Sequence, residues 1–269
     1  MTAIVEVEKL VARYGERTVI KGIDLEVQAG EIMVIMGGSG SGKSTLLRHL
    51  LGLQQPHSGV IRLLGEDINT IGPQRLVELR RKMGVAFQGG ALFSSMTVGD
   101  NVMLPLREHT RLDLSTMQIM MRLKLDIVNL AGCEQLMPAQ LSGGMIKRAA
   151  MARAIIMDPR LLFLDEPSAG LDPVVAASLD ELILKLRDAT GMSLVVVTHE
   201  LESAFKIADR IAVLDHGDML VCGTVAEVKA SGSERVQALL NRRIQPLELN
   251  PEEYLKRLTG GPVSSGATA

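Results

Sequence analysis

The sequence is short of three things. Cys133 and Cys222 are the only cysteines among 269 residues, far apart and with no Cys or His beside them at metal-ligand spacing. That excludes a disulfide framework and a structural zinc, and two free thiols suit a reducing cytosol. Excess charge is missing too: 29 Lys and Arg against 31 Asp and Glu leave a formal −2, so nothing in the whole-chain balance favours nucleic acid or an anionic membrane surface. No segment reaches the roughly 18 consecutive apolar residues that span a bilayer. The opening "MTAIVEVEKLVARYGERT" alternates apolar and charged residues, unlike the apolar core of a signal peptide. A chain of this kind working at a membrane relies on another polypeptide to cross it. What is present is 46% hydrophobic residues, enough for one sizeable core in one or two domains.

The apolar residues fall into two rhythms. From Ala3 to Met36, "AIVEVEKLVARY", "VIKGIDLEV" and "EIMVIMG" read as strands separated by "YGERT" and "QAG" turns, a small antiparallel sheet leading into a buried strand. A helix is expected from Lys43 to about Leu53, then a hairpin segment "SGVIRLLGED" and a short strand "GVAFQ". Residues 98–157 hold no strand signal and show helical spacing, so a helical insert is expected there. Beyond it, "RLLFLDEP", "SLVVVTHE" and "RIAVLD" are too apolar for half-exposed strands. Separated by helices, they have the rhythm of a parallel sheet with crossover helices. The final "GGPVSSGATA" is expected to be disordered.

"GGSGSGKST" comprises Gly37, Gly38, Ser39, Gly40, Ser41, Gly42, Lys43, Ser44 and Thr45 and fits G-x-x-x-x-G-K-[ST] between a buried strand and a helix. The small residues let successive backbone N–H groups turn inward around phosphates, where bulky side chains would intrude. Lys43 then pairs the β- and γ-phosphates, and the Ser44 hydroxyl holds Mg²⁺. "LLFLDEP" ends an apolar strand on two acids, which puts Asp165 at the carboxyl edge of the sheet near the metal and Glu166 one position on. Adjacent carboxylates can divide the work: Asp165 toward the metal, Glu166 toward the attacking water.

"LSGGMIKRAAMARAI" poses a separate problem, because Ser142, Gly143 and Gly144 open a helix as a second anion-binding terminus. P-loop, "LSGG", the acidic pair, "AGLD" ending at Asp172, and His199 after "SLVVVT" occur in that order. Over about Val5 to Leu240 this order resembles an ATP-binding-cassette nucleotide-binding domain. The resemblance implies an α/β P-loop NTPase with a mostly parallel core sheet, an N-terminal antiparallel β subdomain and a helical subdomain. It implies a domain over 1–245, with about 98–157 inserted, followed by an extension over 246–269.

In that family two chains sandwich two ATP molecules, and "LSGG" of each faces the P-loop of the other. The resemblance implies ATP and Mg²⁺ as ligands, Tyr14 stacked on adenine, Gln88 touching Mg²⁺ and water beside the membrane subunit, His199 holding the γ-phosphate, and Asp172 at the dimer seam. These roles suit the groups: a ring face for a base, a neutral amide for metal and water, an imidazole for transferring charge. Tyr14 beside Gly15 is also intelligible, less strongly, as a turn aromatic. The family's usual fifth signature residue is Gln, and here it is Met145, which lacks those hydrogen bonds while the backbone donors survive.

"QGGALFSSMTVGDNVMLPLREHT" and "LMPAQLSGGMIKRAAMARAI" resemble the MlaF-type ATPases of phospholipid transporters that use a lipid-carrying MCE protein, a branch in which "LSGGM" is typical. The resemblance implies permease chains, a periplasmic MCE ring, a cytoplasmic STAS-domain protein, no nucleic acid, and a peripheral position on the cytoplasmic face of the inner membrane. Leu92, Phe93, Met96 and Met103 suggest an apolar coupling patch, although core packing accounts equally well for any one of them. "LNPEEYLKRL" carries start signals for a short terminal helix, with Asn250 as cap and Pro251 first. Two rival readings fit less. Chromosome-maintenance ATPases insert a long coiled coil where this chain has about 120 residues without heptads, and a small-molecule kinase has no use for "LSGG".

Overall fold

A computed structural model describes residues 3–241. The expected extension over 246–269, with its terminal helix, lies outside the described residues.

β1 (Ala3–Tyr14) and β2 (Arg17–Gln28) form the long antiparallel hairpin that their alternation called for. β1 also pairs with β4 (Ser58–Leu63), which folds back on β5 (Glu66–Asp67), so the first sheet runs β2-β1-β4-β5. The second sheet has six strands in the order β10-β9-β3-β8-β7-β6. They are β3 (Ile32–Gly37), β6 (Met83–Ala86), β7 (Leu161–Asp165), β8 (Ser193–Thr198), β9 (Arg210–Asp215) and β10 (Asp218–Thr224). All its pairings are parallel except β9–β10.

This sheet is covered on both faces, and strand alternation decides what each face touches. Ile32, Val34, Met36, Leu162, Leu164, Leu194, Val196, Ile211 and Val213 face a core shared with most of the helices. Their neighbours Met33, Ile35, Leu161, Phe163, Val195, Val197, Ala212 and Leu214 face the other way, against the antiparallel sheet and α1 (Lys43–Leu50). The central strands β3, β7, β8 and β9 are therefore apolar through their middles, because both of their sides are interior, whereas the edge strand β10 is mostly half-buried.

Between β6 and β7 lie α3 (Val98–His109), α4 (Leu114–Ile127) and α5 (Gly143–Ala154), a helical stretch without strands as expected. Thr97, Asp113 and Ser142 cap them, each side chain accepting a backbone N–H of the first turn. α6 (Pro173–Thr190) buries Leu179, Leu182, Ile183 and Leu186, a single helical stripe, and α7 (Leu201–Ile207) packs beside it.

Some details differ from the sequence reading. α1 ends at Leu50, not near Leu53, and Gly52 follows at φ +65°. β6 stops at Ala86, which leaves Phe87 and Gln88 outside the ladder and exposed. α2 (Pro73–Arg80), the antiparallel edge strand β10, α8 (Val225–Lys229) and α9 (Glu234–Leu240) carried no expectation. Of the four residues expected in a coupling patch, Met103 is 5% exposed and belongs to the core, because its face of α3 turns inward. Phe93 is 54% exposed, while Leu92 packs partly against the core. No helix among the described residues is long and apolar enough to cross a membrane.

Candidate active site

Parallel register brings the chemical groups to one edge. Met36 is level with Thr198, and Asp165 with Val197, so Gly37, Asp165 and His199 all emerge at the carboxyl ends of adjacent strands β3, β7 and β8. That edge is where open α/β sheets bind ligands.

The loop after β3 is tightly built where it meets the protein and open where it faces outward. A Cβ on Gly37 would fall 2.3 Å from Leu214 O and 2.5 Å from Ser41 Oγ, and one on Gly42 would fall 2.7 Å from Ile20 Cδ1. Gly38, Ser39 and Gly40 are exposed, and a Cβ on Gly38 or Gly40 would meet nothing within 4 Å. The Lys43 ammonium donates to the carbonyls of Gly37 at 2.7 Å and Gly38 at 2.9 Å, which leaves one of its three N–H donors for a ligand. Burial holds its pKa below the ordinary lysine value, against the opposing pull of Glu166 and Asp165. A cleft of about 260 Å³ is lined by Arg17, Val19 and residues 40–45, including Ser44 and Thr45. Ser41 Oγ is buried beside it without a hydrogen-bond partner among the described residues.

Tyr14 ends β1, 43% exposed, and its hydroxyl donates to Gln54 Oε1 at 2.6 Å. Partial burial pushes its pKa up, but hydrogen bonds with Thr45, Arg48 and Gln54 outweigh this and lower it, so the ring stands beside the first turns of α1. It does not line the cleft itself.

Asp165 is half-buried. Burial, reinforced by the adjacent Glu166, raises its pKa, with Lys147 and Lys43 pulling the other way. Glu166 is 8% exposed and sits at φ +48°, a left-handed conformation that costs a non-glycine residue about 1–3 kcal/mol. The turn aims its carboxylate at the end of β8: Oε1 lies 2.9 Å from His199 Nδ1, and Oε2 accepts the His199 backbone N–H at 3.3 Å. His199 Nε2 is 3.5 Å from Glu200 Oε1, so the exposed ring stands between two carboxylates. Asp172 caps α6 through Oδ1, accepting from Val174 and Val175 N–H at 3.1 Å each.

The helix start at Ser142 is differently disposed. Ser142 and Gly143 are exposed, and Ser142 Oγ accepts the Met145 N–H at 3.3 Å. Neither these two residues nor Gly144 lines the cleft at the P-loop. The resemblance implied that "LSGG" faces the P-loop of a second chain, and among the described residues of one chain the two cradles do not line a common cleft.

Oxygen donors from Ser44, Asp165 and Gln88 make a hard donor set appropriate to Mg²⁺, and Asp165 is a half-buried carboxylate whose charge is only partly offset by nearby lysines. These residues fit the metal.

Three features escaped sequence reasoning. Lys147 is 9% exposed and donates to the backbone carbonyls of Glu166, at 2.8 Å, and Gln88. Asn101, fully buried, donates to the carbonyls of Phe93, Met96 and Thr97 and accepts the Phe93 N–H, fixing the segment that displays Phe93. α4 turns Ile119, Leu123 and Ile127 outward, 59%, 58% and 45% exposed at a spacing of four, a stripe that the count of its apolar residues did not separate from its buried face. A further cleft of about 360 Å³, away from the phosphate cradle, lies among α2, β6, α3 and α5, with Arg80, Arg81, His109 and Arg153 around it.

The family described as ABC transporter matches residues 20–169. The intermembrane phospholipid transport system ATP-binding protein MlaF of Haemophilus influenzae is 38% identical over 258 residues, covering 95% of this chain and 98% of that protein. MlaF of Escherichia coli K12 is 41% identical over 227 residues, 84% of each. The probable ribonucleotide transport ATP-binding protein mkl of Mycobacterium leprae is 37% identical over 254 residues, 94% of this chain and 73% of that one. Among solved structures, a dimeric post-hydrolysis state of an ATP-binding cassette bound to ADP and Pi superimposes with a TM-score of 0.76 at 30% identity, covering 82% of this chain and 98% of that one. The cbiO1 structure from Clostridium perfringens gives 0.79 at 27% identity, covering 97% and 100%.

Proposed function

The chain belongs to the ABC transporter family, and from that premise we propose that it is the ATP-hydrolysing subunit of an intermembrane phospholipid transporter, working as a pair of identical chains that close over two ATP molecules. The observation that carries the reading is the contact between Glu166 and His199, 2.9 Å apart at the same sheet edge as the Lys43 loop. An acid held in a strained conformation beside a ring is an expensive arrangement for structure alone and an ordinary one for a site that handles water and phosphate.

The roles follow from position. The N–H groups of residues 38–44 and the Lys43 ammonium hold the phosphates, with Tyr14 beside α1 for the base. Glu166 accepts a proton from the attacking water, and His199 and Glu166 hold each other in register. Ser44, Asp165 and Gln88 would hold Mg²⁺, which when bound neutralises charge on the β- and γ-phosphates. Ser142, Gly143 and Gly144 offer backbone N–H groups to the γ-phosphate on the opposite chain, with Asp172 at the seam.

The near full-length correspondence with the MlaF relative, against 73% of the mycobacterial protein, supports phospholipid over ribonucleotide as cargo. The partners we assign are membrane permeases, a periplasmic MCE protein and a cytoplasmic STAS-domain protein, with the chain on the cytoplasmic face of the inner membrane. Exposed Phe93 and the 360 Å³ cleft suit a permease segment, and the α4 stripe suits a soluble partner. Glu166→Gln tests the reading. ATP binding should persist, hydrolysis should fall about 10²-fold or more as a general base is lost, and a closed dimer should accumulate in light scattering. Unchanged turnover would reject Glu166 as the base.

A further inference from the structure

Lys147 lies in the second turn of α5, one turn beyond the Ser142 cap. It is nearly as buried as the apolar core, yet it forms no ion pair among the described residues. Its ammonium instead donates to two backbone carbonyls: Glu166 O, at 2.8 Å, and Gln88 O. Burying an ammonium costs several kcal/mol unless its donors are satisfied. Here two of its three donors are satisfied by the two loops that carry the proposed base and the proposed metal-contacting amide. The same helix therefore has its exposed N-terminus on one side and, one turn later, a grip on this chain's own catalytic loops. Burial depresses the ammonium's pKa, while Glu166 and Asp165 favour its charged form.

We propose that Lys147 is a positioning residue that couples the two nucleotide sites of a dimer: movement of α5 when Ser142 engages the partner's nucleotide is transmitted through Lys147 to the backbone of Gln88 and Glu166 at this chain's own nucleotide. The proposal rests on the sandwich reading above. Each protomer then reports the occupancy of one site to the base of the other through three contiguous groups, without any movement of the sheet.

The test uses the full-length chain in its purified complex, with Mg·ATP as probe. Lys147→Met keeps the length and apolar stem and removes the ammonium with both of its hydrogen bonds; Lys147→Arg keeps donors and charge. Nucleotide affinity, kcat and the Hill coefficient for ATP are read in each. The expected result for Lys147→Met is a fall in kcat of about tenfold and a Hill coefficient reduced toward 1, with nucleotide affinity within about twofold of the parent. Lys147→Arg should restore much of both. If Lys147→Met destabilises the chain, Lys147→Gln, which retains a neutral donor, is read in its place and should give an intermediate kcat and Hill coefficient. Parental kcat and cooperativity in Lys147→Met, or in Lys147→Gln where it stands in, overturn the proposal; so does a loss of affinity equal to the loss of kcat. ATP-dependent dimerisation of Glu166→Gln separates the two levels. If that dimer forms and Lys147→Met is silent, only the coupling role fails; if no dimer forms, the sandwich reading itself fails.

Discussion

The two phosphate cradles of this chain are built on opposite plans. The loop over residues 37–45 is knitted into its own protein: Gly37 and Gly42 fit only as glycines, Ser41 is buried, and Lys43 is anchored on two carbonyls of the loop it serves. At the start of α5 the packing constraint is confined to Gly144, where a Cβ would fall 2.7 Å from Val175 Cγ1. Ser142 and Gly143 are exposed, and a Cβ on Gly143 would meet nothing closer than Leu171 Cδ2 at 3.6 Å, an ordinary contact. Glycine at position 143 is not needed for packing. A glycine that packing does not require points to something outside the chain that must come close to the backbone, and this contrast is the physical basis for assigning the first cradle to the chain's own nucleotide and the second to a partner's.

That contrast can be broken in order of effect. Gly143→Asp places a carboxylate where a phosphate would approach while leaving the fold untouched. ATP hydrolysis should fall about 10²–10³-fold, the scale for losing preorganised donors at developing charge, with nucleotide binding by the single chain retained. Lys43→Ala should do the reverse, weakening nucleotide binding itself by about 10- to 100-fold, the worth of a charge-assisted hydrogen bond. Equilibrium binding of a fluorescent ATP analogue distinguishes the two. If Gly143→Asp abolishes binding, the cradles are not divided between chains as described.

Stability sharpens the same comparison. Gly37→Ala should cost about 1–3 kcal/mol, as overpacking does, and Gly143→Ala less than about 0.5 kcal/mol; thermal melts of the nucleotide-free chain measure both. The smallest effect concerns Asp165. Its folded pKa is raised above the ordinary 3.8 by burial and by Glu166. The protonated form is therefore favoured by folding, and stability is lost as the pH rises through the folded pKa and Asp165 ionises. Asp165→Asn should raise the melting temperature of the nucleotide-free chain near pH 7, by about 2–4 °C per kcal/mol relieved. The gain should vanish below about pH 4, where the parent side chain is protonated folded or unfolded.

Much of this architecture was legible in the sequence because burial on both faces forces strands such as "SLVVVT" to be apolar throughout, and because loops that bind phosphate need small residues at fixed spacing. α2 was not legible: Gly72 gives it no side-chain cap, and an exposed eight-residue helix leaves little periodicity to read. β10 is an edge strand of mostly half-buried residues, so neither strict alternation nor a continuous apolar run marks it. Met103 was left between patch and core, because an apolar residue in a helix near Phe93 looks the same from either face until packing assigns the face. Lys147 was invisible for a different reason. Its partners are backbone carbonyls, which every residue possesses, so no pattern of side chains announces the contact. The helix-opening "LSGG" was readable from its residues as an anion site, while its separation from the chain's own cleft followed only from the family resemblance.

The most direct test is a structure of the Glu166→Gln chain loaded with Mg·ATP. The γ-phosphate held by Lys43 should lie within hydrogen-bond distance, about 2.5–3.2 Å, of Ser142 or of the Gly143 and Gly144 N–H groups of the second chain, and out of reach of its own. A γ-phosphate enclosed by Lys43 and Ser142 of one and the same chain would contradict the account.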